Sequence, residues 1–280
     1  MLLSLRRDRW LRMLLSCTLL AGIPATGERL TTEATHLVNE DHSFALPDAP
    51  SPQPETTKTV TLQNTPRNIL HDQAHIWTSP LHVRKHDLVW LAPLAAAMGA
   101  AIATDHHTMA SVVSHDPDFN QANVNASNVL IGGFIATPVA LYGFGHFKEN
   151  AHAREAGILG GEALLDGLVV EQGMKLIFWR ERPAMDNAHG LFFQGSAGAN
   201  SSFPSSHSVL AWSTAAVIAG EYPSRWTQLG VYSLATGVSV TRVLGQEHFP
   251  TDVLVGSAFG WLVGHYVYRA HHVHGAWSAK

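Results

Sequence analysis

Two cations in the second half of the chain are spaced so that they could bind an anion. Lys175 is followed, after six residues, by Arg182 and then by Pro183. Proline cannot continue a helix, so this segment marks the exit from a helix that ends near Lys175. Basic side chains at a helix end are also common where they only extend toward solvent. The pair therefore indicates an anion site only in combination with other residues.

A second set of polar residues, Pro204-Ser205-Ser206-His207, lies immediately before an apolar run that begins at Val209. Serine is a favourable N-cap, and free N–H groups together with the helix dipole make a helix N-terminus an anion site. His207 at that place could give a proton to a leaving group. The alternative is a plain helix cap with an exposed histidine.

The third set contains Arg242, then His248 after five residues, and Asp252 after three more. His248 and Asp252 are four residues apart, so one helical turn brings them together, and Pro250 fits the first turn of a new helix. A carboxylate that accepts a hydrogen bond from one ring nitrogen fixes the tautomer and leaves the other nitrogen free to attack. A structural His–Asp capping pair would have the same spacing.

The three sets together are more specific than each set alone. All three lie at junctions between predicted helices, and these junctions fall at the same end of an up-and-down bundle. They would bring together three cations, a helix N-terminus and two histidines, one of them paired with a carboxylate. Phosphoryl transfer needs such a set, because positioning and charge neutralisation lower most of its barrier. The sequence has no glycine-rich phosphate loop, which argues against a nucleotide kinase.

Six apolar segments must position these residues. None shows the alternation of a β-strand, so we predict an all-α fold, a six-helix bundle with the active site at one end. Several segments are near the length of about 20 residues that crosses a bilayer, so both a membrane bundle and a buried helical core remain open. The segments are Leu88–Thr104, Val129–Gly145, Gly157–Phe178, Val209–Gly220, Leu229–Val243 and Val253–Tyr268.

The N-terminus has the pattern of a secretory signal peptide. Four arginines between Arg6 and Arg12 precede a short apolar run, Met13–Ile23, and small residues follow. The run is short for a bilayer span, so we predict that the chain is exported and that residues 1–27 are its signal peptide. An amphipathic N-terminal helix is the alternative.

Composition divides the rest of the chain into three parts. Residues 28–85, which are rich in Thr, Glu, Asp and Pro over most of their length, are predicted to be a flexible exported tail. Residues 86–270 are the predicted helical domain, which contains all three sets of residues. Residues 271–280 are the predicted C-terminal tail.

Charge and cysteine content exclude several classes of protein. Charged residues are 14% of the chain, against roughly 25% in a typical soluble domain, and the formal net charge is −4. Because no basic block lies outside the N-terminus, we expect no nucleic-acid partner. The single cysteine, Cys17, excludes an internal disulfide framework and a cysteine-based zinc site.

We predict structural roles, and no metal site, for two histidine clusters and for two carboxylates inside an apolar segment. Asp105–His107 and His271–His274 could bind a metal, but no cysteine or carboxylate spacing completes a closed site. We therefore interpret these histidines as solvated loop and tail residues. Glu162 and Asp166 lie one turn apart inside an apolar segment, and we interpret them as partners in interhelical hydrogen bonds.

The three sets resemble the signature of the type 2 phosphatidic acid phosphatase superfamily, which includes lipid phosphate phosphatases, bacterial acid phosphatases and vanadium haloperoxidases. Two positions differ from the usual pattern: Ser206 stands where the family has glycine, and Thr241 where it has serine. The order and internal spacings agree over Lys175-x6-Arg182-Pro183, Pro204-Ser205-Ser206-His207 and Thr241-Arg242-x5-His248-x3-Asp252.

The resemblance implies a role for each of these residues. His248 would attack phosphorus and form a phosphohistidine, Asp252 would orient it, and His207 would protonate the leaving oxygen and then activate water. The family needs no metal or other cofactor for this hydrolysis. Charge neutralisation and hydrogen bonds to the phosphoryl group would come from Lys175, Arg182, Arg242, Ser205 and the amide of Ser206.

The resulting prediction is a metal-independent phosphatase of a phosphomonoester or diphosphate, with a lipid-linked substrate. A vanadium-dependent haloperoxidase and a non-catalytic, histidine-rich membrane or binding protein are the alternatives. We expect the protein at the cell membrane with its active site on the extracytoplasmic side, or as a periplasmic or secreted enzyme. Phosphate release without metal or halide would separate the three functions.

Overall fold

The computed structural model of the chain describes residues 60–194 and 200–273, and these residues form helices and turns without a β-strand. The predicted signal peptide and the predicted tail up to residue 59 lie outside the described residues. The described α-helices are α1 (Thr65–Thr78), α2 (Leu88–His107), α3 (Pro117–Phe147), α4 (Ala151–Phe178), α5 (Ser206–Glu221), α6 (Arg225–Leu244) and α7 (Pro250–His271). The all-α prediction is confirmed for this part of the chain.

All six predicted apolar segments lie inside helices, which are α2 to α7. The largest difference in length is in α3, because its polar first half continues the helix that Val129–Gly145 predicted. Asp116 caps this helix by accepting a hydrogen bond from the backbone N of Phe119 at 2.9 Å. Asn150 caps α4 in the same way through the backbone N of Ala153.

Helix α1 is the difference from the predicted six-helix bundle, since it lies within the range 28–85 that composition predicted to be a flexible tail. Its polar side chains bond with carboxylates of α4. Nδ2 of Asn68 donates to Glu162 at 3.0 Å, and Nε2 of Gln73 donates to Asp166 at 2.8 Å. These interhelical bonds satisfy one oxygen each of Glu162 and Asp166, as the sequence predicted, and they show why a polar segment can still be an ordered helix.

Two histidines at the C-terminus differ from the sequence prediction of solvated side chains. Nε2 of His271 lies 2.8 Å from Oδ2 of buried Asp72 on α1. Nδ1 of His272 lies 2.9 Å from Oε1 of buried Glu221 on α5. The prediction is wrong for both residues because their carboxylate partners come from distant parts of the sequence.

Helices α5 and α7 run parallel and pack backbone against backbone. A Cβ on Gly260 would lie 2.3 Å from the carbonyl oxygen of Val209, and one on Gly264 would lie 2.1 Å from that of Ser213. Glycine is therefore required at both positions for the helices to approach this closely. Because the contacts advance in the same direction along both helices, their N-termini lie at the same end of the protein.

Helix α3 presents much of its apolar surface outward. Among the described helices it is the one whose length and composition are sufficient to cross a membrane, and only 22% of its most apolar window is buried in the protein. Large exposed apolar side chains along it include Val129, Val139, Phe144 and Phe147.

Candidate active site

The three predicted sets of residues meet where α4 and α6 end and where α5 and α7 begin. Lys175 lies in the last turn of α4, and Arg242 lies in the last turn of α6. Ser205 is the N-cap of α5, and Asp252 lies in the first turn of α7. The parallel packing of α5 and α7, with α4 and α6 antiparallel to them, explains why all four termini share one end.

Lys175 is hydrogen-bonded to Ser206, one of the two positions where the sequence departs from the signature it resembles. Its Nζ donates to Oγ of Ser206 at 2.9 Å and lies 2.8 Å from Oε1 of Glu171, one turn earlier on α4. The hydroxyl of Ser206 in turn donates to Glu171 at 2.5 Å. The side chain of Ser206 is therefore directed toward Lys175. Its hydrogen bond holds the ammonium group of the lysine at the N-terminus of α5.

Arg182 and Arg242 share one carboxylate. Oε2 of Glu247 accepts from Nη1 of Arg182 at 2.6 Å and from Nη2 of Arg242 at 3.1 Å. Arg242 is 5% exposed and also donates to Oγ of Ser127 on α3. Two guanidinium groups from different motifs thus converge on one anionic group, which is the arrangement that a phosphoryl oxygen would require.

His248 is 1% exposed and lies in the loop between α6 and α7. Its Nδ1 is 2.8 Å from the backbone oxygen of Ser202 and 3.5 Å from Oδ2 of Asp252. Because a carbonyl oxygen only accepts, Nδ1 carries the proton, and the neutral ring presents an unprotonated Nε2. The sequence assigned this orienting contact to Asp252, whereas the nearer acceptor is the Ser202 carbonyl.

Asp252 is fully buried and is surrounded by donors. Its Oδ1 accepts from Nη1 of Arg180 at 2.7 Å, and its Oδ2 accepts from the backbone N of Phe249 at 2.9 Å and from the hydroxyl of Ser202. Ser202 thus contacts both Asp252 and the ring of His248. The carboxylate positions the loop that carries His248 as well as facing its ring.

Arg180 is a buried cation that the sequence did not single out. Its second terminal nitrogen donates to Asp105 of α2 at 2.7 Å, and its guanidinium lies over the rings of Phe192 and Phe249. The guanidinium therefore bridges two buried carboxylates, Asp105 and Asp252. Such a network ties α2, α7 and the segment after α4 together beneath the site.

Ser205 and His207 stand at the N-terminus of α5. Oγ of Ser205 is buried and has no hydrogen-bond partner among the described residues. Nε2 of His207 lies 3.0 Å from Oδ1 of Asn128 on α3. A buried hydroxyl without a partner beside free helix N–H groups is an arrangement that an oxyanion would complete.

The pKa values of the two histidines follow from this environment. Burial lowers the pKa of His248, although Asp252 opposes the shift. Burial also lowers the pKa of His207, to about 3, and nearby positive charge adds to the effect. That charge comes from Arg242, Arg182 and Lys175, and from His248 when its ring is protonated. Both rings are therefore neutral near pH 7 without a bound anion, and the positive groups of all three motifs act at one place.

Thr241, which stands where the signature has serine, uses its hydroxyl within its own helix. The hydroxyl of Thr241 donates to the backbone oxygens of Gly237 and Val238, within its own helix. Threonine at this position therefore stabilises the last turns of α6 and makes no contact with Arg242 or His248 through its hydroxyl.

Comparison with known proteins agrees with this geometry. Residues 156–275 match the model of the PAP2 superfamily. This range contains Lys175, Arg182, Ser205, Ser206, His207, Arg242, His248 and Asp252. In this region, which is less than half of the chain, the sequence is similar to the PAP2 superfamily.

Two individual proteins resemble the chain. It is 34% identical to a lipid A 1-phosphatase of Porphyromonas gingivalis over 106 residues, which are 37% of this chain and 21% of that relative. The chain thus matches about a fifth of the relative's length. A crystal structure of a transmembrane PAP2-type phosphatidylglycerolphosphate phosphatase from Bacillus subtilis aligns with a TM-score of 0.45 and 18% identity. The alignment covers 76% of this chain and 99% of that one.

Proposed function

We propose that this chain is a metal-independent phosphatase that hydrolyses a phosphomonoester or diphosphate on a lipid through a phosphohistidine. The observation that carries the proposal is the position of His248. Its buried, neutral imidazole is held at Nδ1 by the Ser202 carbonyl, at the place where three cations and the N-terminus of α5 converge. A neutral imidazole with one fixed tautomer is the form that attacks as a nucleophile.

In the first step, Nε2 of His248 forms a bond to phosphorus while the bond from phosphorus to the leaving oxygen breaks. His207 gives its proton to that oxygen. In the second step, neutral His207 takes a proton from water, whose oxygen attacks phosphorus and displaces Nε2 of His248. The products are inorganic phosphate together with the free hydroxyl of a monoester substrate, or with the monophosphate that remains of a diphosphate substrate.

The same groups explain how His207 becomes an acid. Without an anion, burial together with the surrounding cations lowers the pKa of His207 to about 3, so the ring is neutral. A bound phosphate monoester carries negative charge into the cluster and offsets these cations. The pKa of His207 then rises when substrate is present, which couples protonation of the acid to occupancy of the site.

The cations neutralise the charge that spreads over the phosphoryl oxygens during transfer. Arg182 and Arg242 now bind the carboxylate of Glu247, so a substrate phosphate would take the place of this carboxylate. Lys175 lies at the N-terminus of α5, where it could contact a phosphoryl oxygen. The hydroxyl of Ser205 has no hydrogen-bond partner among the described residues, so it could donate to another phosphoryl oxygen.

An apolar groove beside the third motif supports a lipid-linked substrate. Val243 and Leu244 follow Arg242 at the end of α6, while Pro250 and Val253 flank the first turn of α7, and all four line the groove. A hydrocarbon chain in this groove would remove apolar surface from water while its phosphate reached the site. The similarity to a lipid A 1-phosphatase supports the same class of substrate.

The exposed apolar surface of α3 supports a location at a membrane. We place the active site on the extracytoplasmic side, because the N-terminus has the pattern of an export signal. This topology is part of the proposal.

The test is phosphate release by purified protein with EDTA present, from a phosphatidic acid, a polyprenyl diphosphate, a lipid A phosphate and a soluble aryl phosphate. We expect release without added metal and a lower KM for a lipid substrate than for the aryl phosphate. Lys175→Ala and Arg242→Ala should each lose phosphate binding and turnover together, whereas Lys148→Ala, at an exposed lysine after α3, should resemble the wild type. A strict requirement for magnesium or zinc, or halide oxidation in place of phosphate release, would refute the proposal.

A further inference from the structure

Four ionisable side chains form a cluster at the opposite end of the helices from the candidate active site. His152 and Glu155 lie in the first turns of α4, Glu221 is the last residue of α5, and His272 follows α7. We call these four residues the distal cluster. The rise of a helix places Glu221 about 22 Å along α5 from Ser206, so the cluster is separate from the phosphate site.

Three potential ligand atoms in the distal cluster are already close together. Nδ1 of His272 lies 2.9 Å from Oε1 of Glu221 and 3.2 Å from Oε1 of Glu155. The ligand atoms of these three residues all lie within 4.8 Å of one another. Two atoms that bind one tetrahedral zinc ion at about 2.0–2.1 Å are about 3.3 Å apart, so only small movements separate the cluster from that geometry.

A fourth side chain extends the set. Nε2 of His152 lies 3.0 Å from Oε2 of Glu221. The same ring nitrogen lies 3.0 Å from the backbone oxygen of Glu221, whose side chain is 0% exposed. A buried carboxylate with an imidazole nitrogen close to each of its two oxygens has the donor types that zinc binds.

The charge of the distal cluster also requires a positive group. Glu155 and Glu221 are both buried, and two adjacent carboxylates oppose each other's ionisation. A protonated histidine supplies one compensating charge, whereas a divalent cation supplies two at a single point.

We propose that the distal cluster binds a divalent transition-metal ion of the zinc type, with Glu155, Glu221 and His272 as ligands and His152 as the fourth. Imidazole and carboxylate together suit zinc and its neighbours, whereas calcium and magnesium prefer sets of oxygen ligands.

Such an ion would have a structural role. It would connect the start of α4, the end of α5 and the residue after α7, which are far apart in the sequence. The side chains of His272 and His152 are 15% and 22% exposed, so an ion can enter from solvent. The ion would take no part in the hydrolysis at the other end, and EDTA would lower stability without removing phosphatase activity.

The experiment uses the full chain without a polyhistidine tag, stripped with EDTA and dialysed. Zinc is titrated by calorimetry, cobalt(II) by its d–d absorption bands, and the unfolding temperature is measured with and without each metal. Glu221→Gln and His272→Ala remove ligands. His146→Ala is the matched control, because this exposed histidine at the end of α3 is outside the distal cluster.

We expect one metal ion per chain and a higher unfolding temperature for the wild type and His146→Ala. The two ligand variants should bind more than about tenfold more weakly. Equal binding by all four proteins, or no stoichiometric binding by the folded wild type, would overturn the proposal. Should a ligand variant fail to fold, the cobalt spectrum of the wild type decides, since a six-coordinate aquo-like spectrum contradicts the site. Phosphate release in EDTA is measured in parallel and is independent of this result.

Discussion

At the scale of single residues, Ser202 and Asp252 divide the task of holding His248. Ser202 holds the imidazole ring, and Asp252 holds the backbone around it. The imidazole of His248 is held by the backbone oxygen of Ser202 at 2.8 Å, and Asp252 is farther away at 3.5 Å. The short hydrogen bonds that the Asp252 carboxylate accepts come from Arg180, the Phe249 amide and the Ser202 hydroxyl. Asp252 therefore fixes the backbone around the nucleophile and supplies negative charge near the ring once phosphorus is bound.

Trapping of the phosphoenzyme should distinguish the roles of His248 and His207. His248→Ala removes the attacking atom, so no phosphoenzyme can form. His207→Asn allows attack on a substrate with a good leaving group but slows hydrolysis of the intermediate, because general acid–base help is typically worth about 10²–10⁴-fold. The measurement is a rapid quench of labelled aryl phosphate under alkaline conditions, which preserve phosphohistidine.

Label on His207→Asn and none on His248→Ala is the expected pattern. Asn128→Ala is a useful comparison, since it removes the 3.0 Å contact of His207 without removing either histidine. The reverse pattern, or label that survives mild acid and lies on a serine, would contradict the assigned roles.

Glu247 is expected to compete with phosphate. Its carboxylate bridges Arg182 and Arg242, and it is about one-third exposed. Glu247→Gln keeps the size but removes the charge, so inorganic phosphate should inhibit several-fold more tightly. This corresponds to about 1 kcal/mol after solvent screening. Product-inhibition constants are the measurement, and Glu149→Gln, in the turn after α3, is the control. Unchanged or weaker inhibition in Glu247→Gln would show that the carboxylate does not occupy the phosphate position.

The sequence predicted the residues of the signature because their spacing carries the pattern. It could not predict Arg180, Ser202 or Glu247 as part of the same network. Arg180 meets Asp252 across 72 residues, and Ser202 meets His248 across 46, so only the fold creates these contacts. Local spacing also assigned the tautomer of His248 to the side chain four residues away, because a backbone carbonyl has no signal in the sequence.

At the scale of elements, the parallel contact of α5 and α7 places two motifs at the same end. Their close approach depends on a stripe of small residues on α7, where Gly256, Gly260 and Gly264 face the backbone of α5. The N-terminus of α5 then lies beside the first turn of α7, and the backbone N of Ser205 donates to the carbonyl of Asp252 at 3.1 Å. The anion site and the nucleophile loop are thus joined directly.

Substitution of Gly264 by alanine should destabilise the protein. The new Cβ would lie 2.1 Å from the carbonyl oxygen of Ser213, so the helices must separate, at a cost of about 1–3 kcal/mol. Gly161→Ala on α4 is the matched control, since a Cβ there has no neighbour within 4 Å and should stabilise the helix by roughly 0.5–1 kcal/mol. Unfolding temperatures of the two variants should move in opposite directions. A Gly264→Ala protein as stable as the wild type would mean that α5 and α7 do not pack closely at Gly264 and Ser213.

The helices themselves were predictable to different degrees. The segments of α4 and α5 are apolar on most faces and could be recognised from composition. Helix α1 could not, because its docking uses Asn68 and Gln73, whose carboxylate partners lie about 93 residues away. The polar half of α3 was missed for a similar reason, since hydropathy marks only the part that is apolar.

At the scale of the whole molecule, the two ends of the described helices have different chemistry. One end gathers cations around His248, and the other gathers two buried carboxylates with histidines. Between them lies a surface of exposed apolar side chains on α3, of which Ile135 and Val139 are 47% and 71% exposed. Polar ends with an apolar middle are the arrangement that a bilayer favours, because its core has no water for polar groups.

The last prediction is that the full chain fractionates with membranes and resists extraction by carbonate. Exposed apolar side chains on α3 would otherwise contact water, and patches of this kind mark membrane or protein contacts in folded proteins. Val139→Asp places a charge on that surface, at a cost of about 2.5–3.5 kcal/mol at the centre of a membrane helix, and should shift protein toward the soluble fraction. Val139→Ala, which keeps the surface apolar, should remain with the membrane. Complete recovery of the wild type in the soluble fraction without detergent would contradict the prediction, and phosphate release from the soluble aryl phosphate would then identify an exported soluble phosphatase.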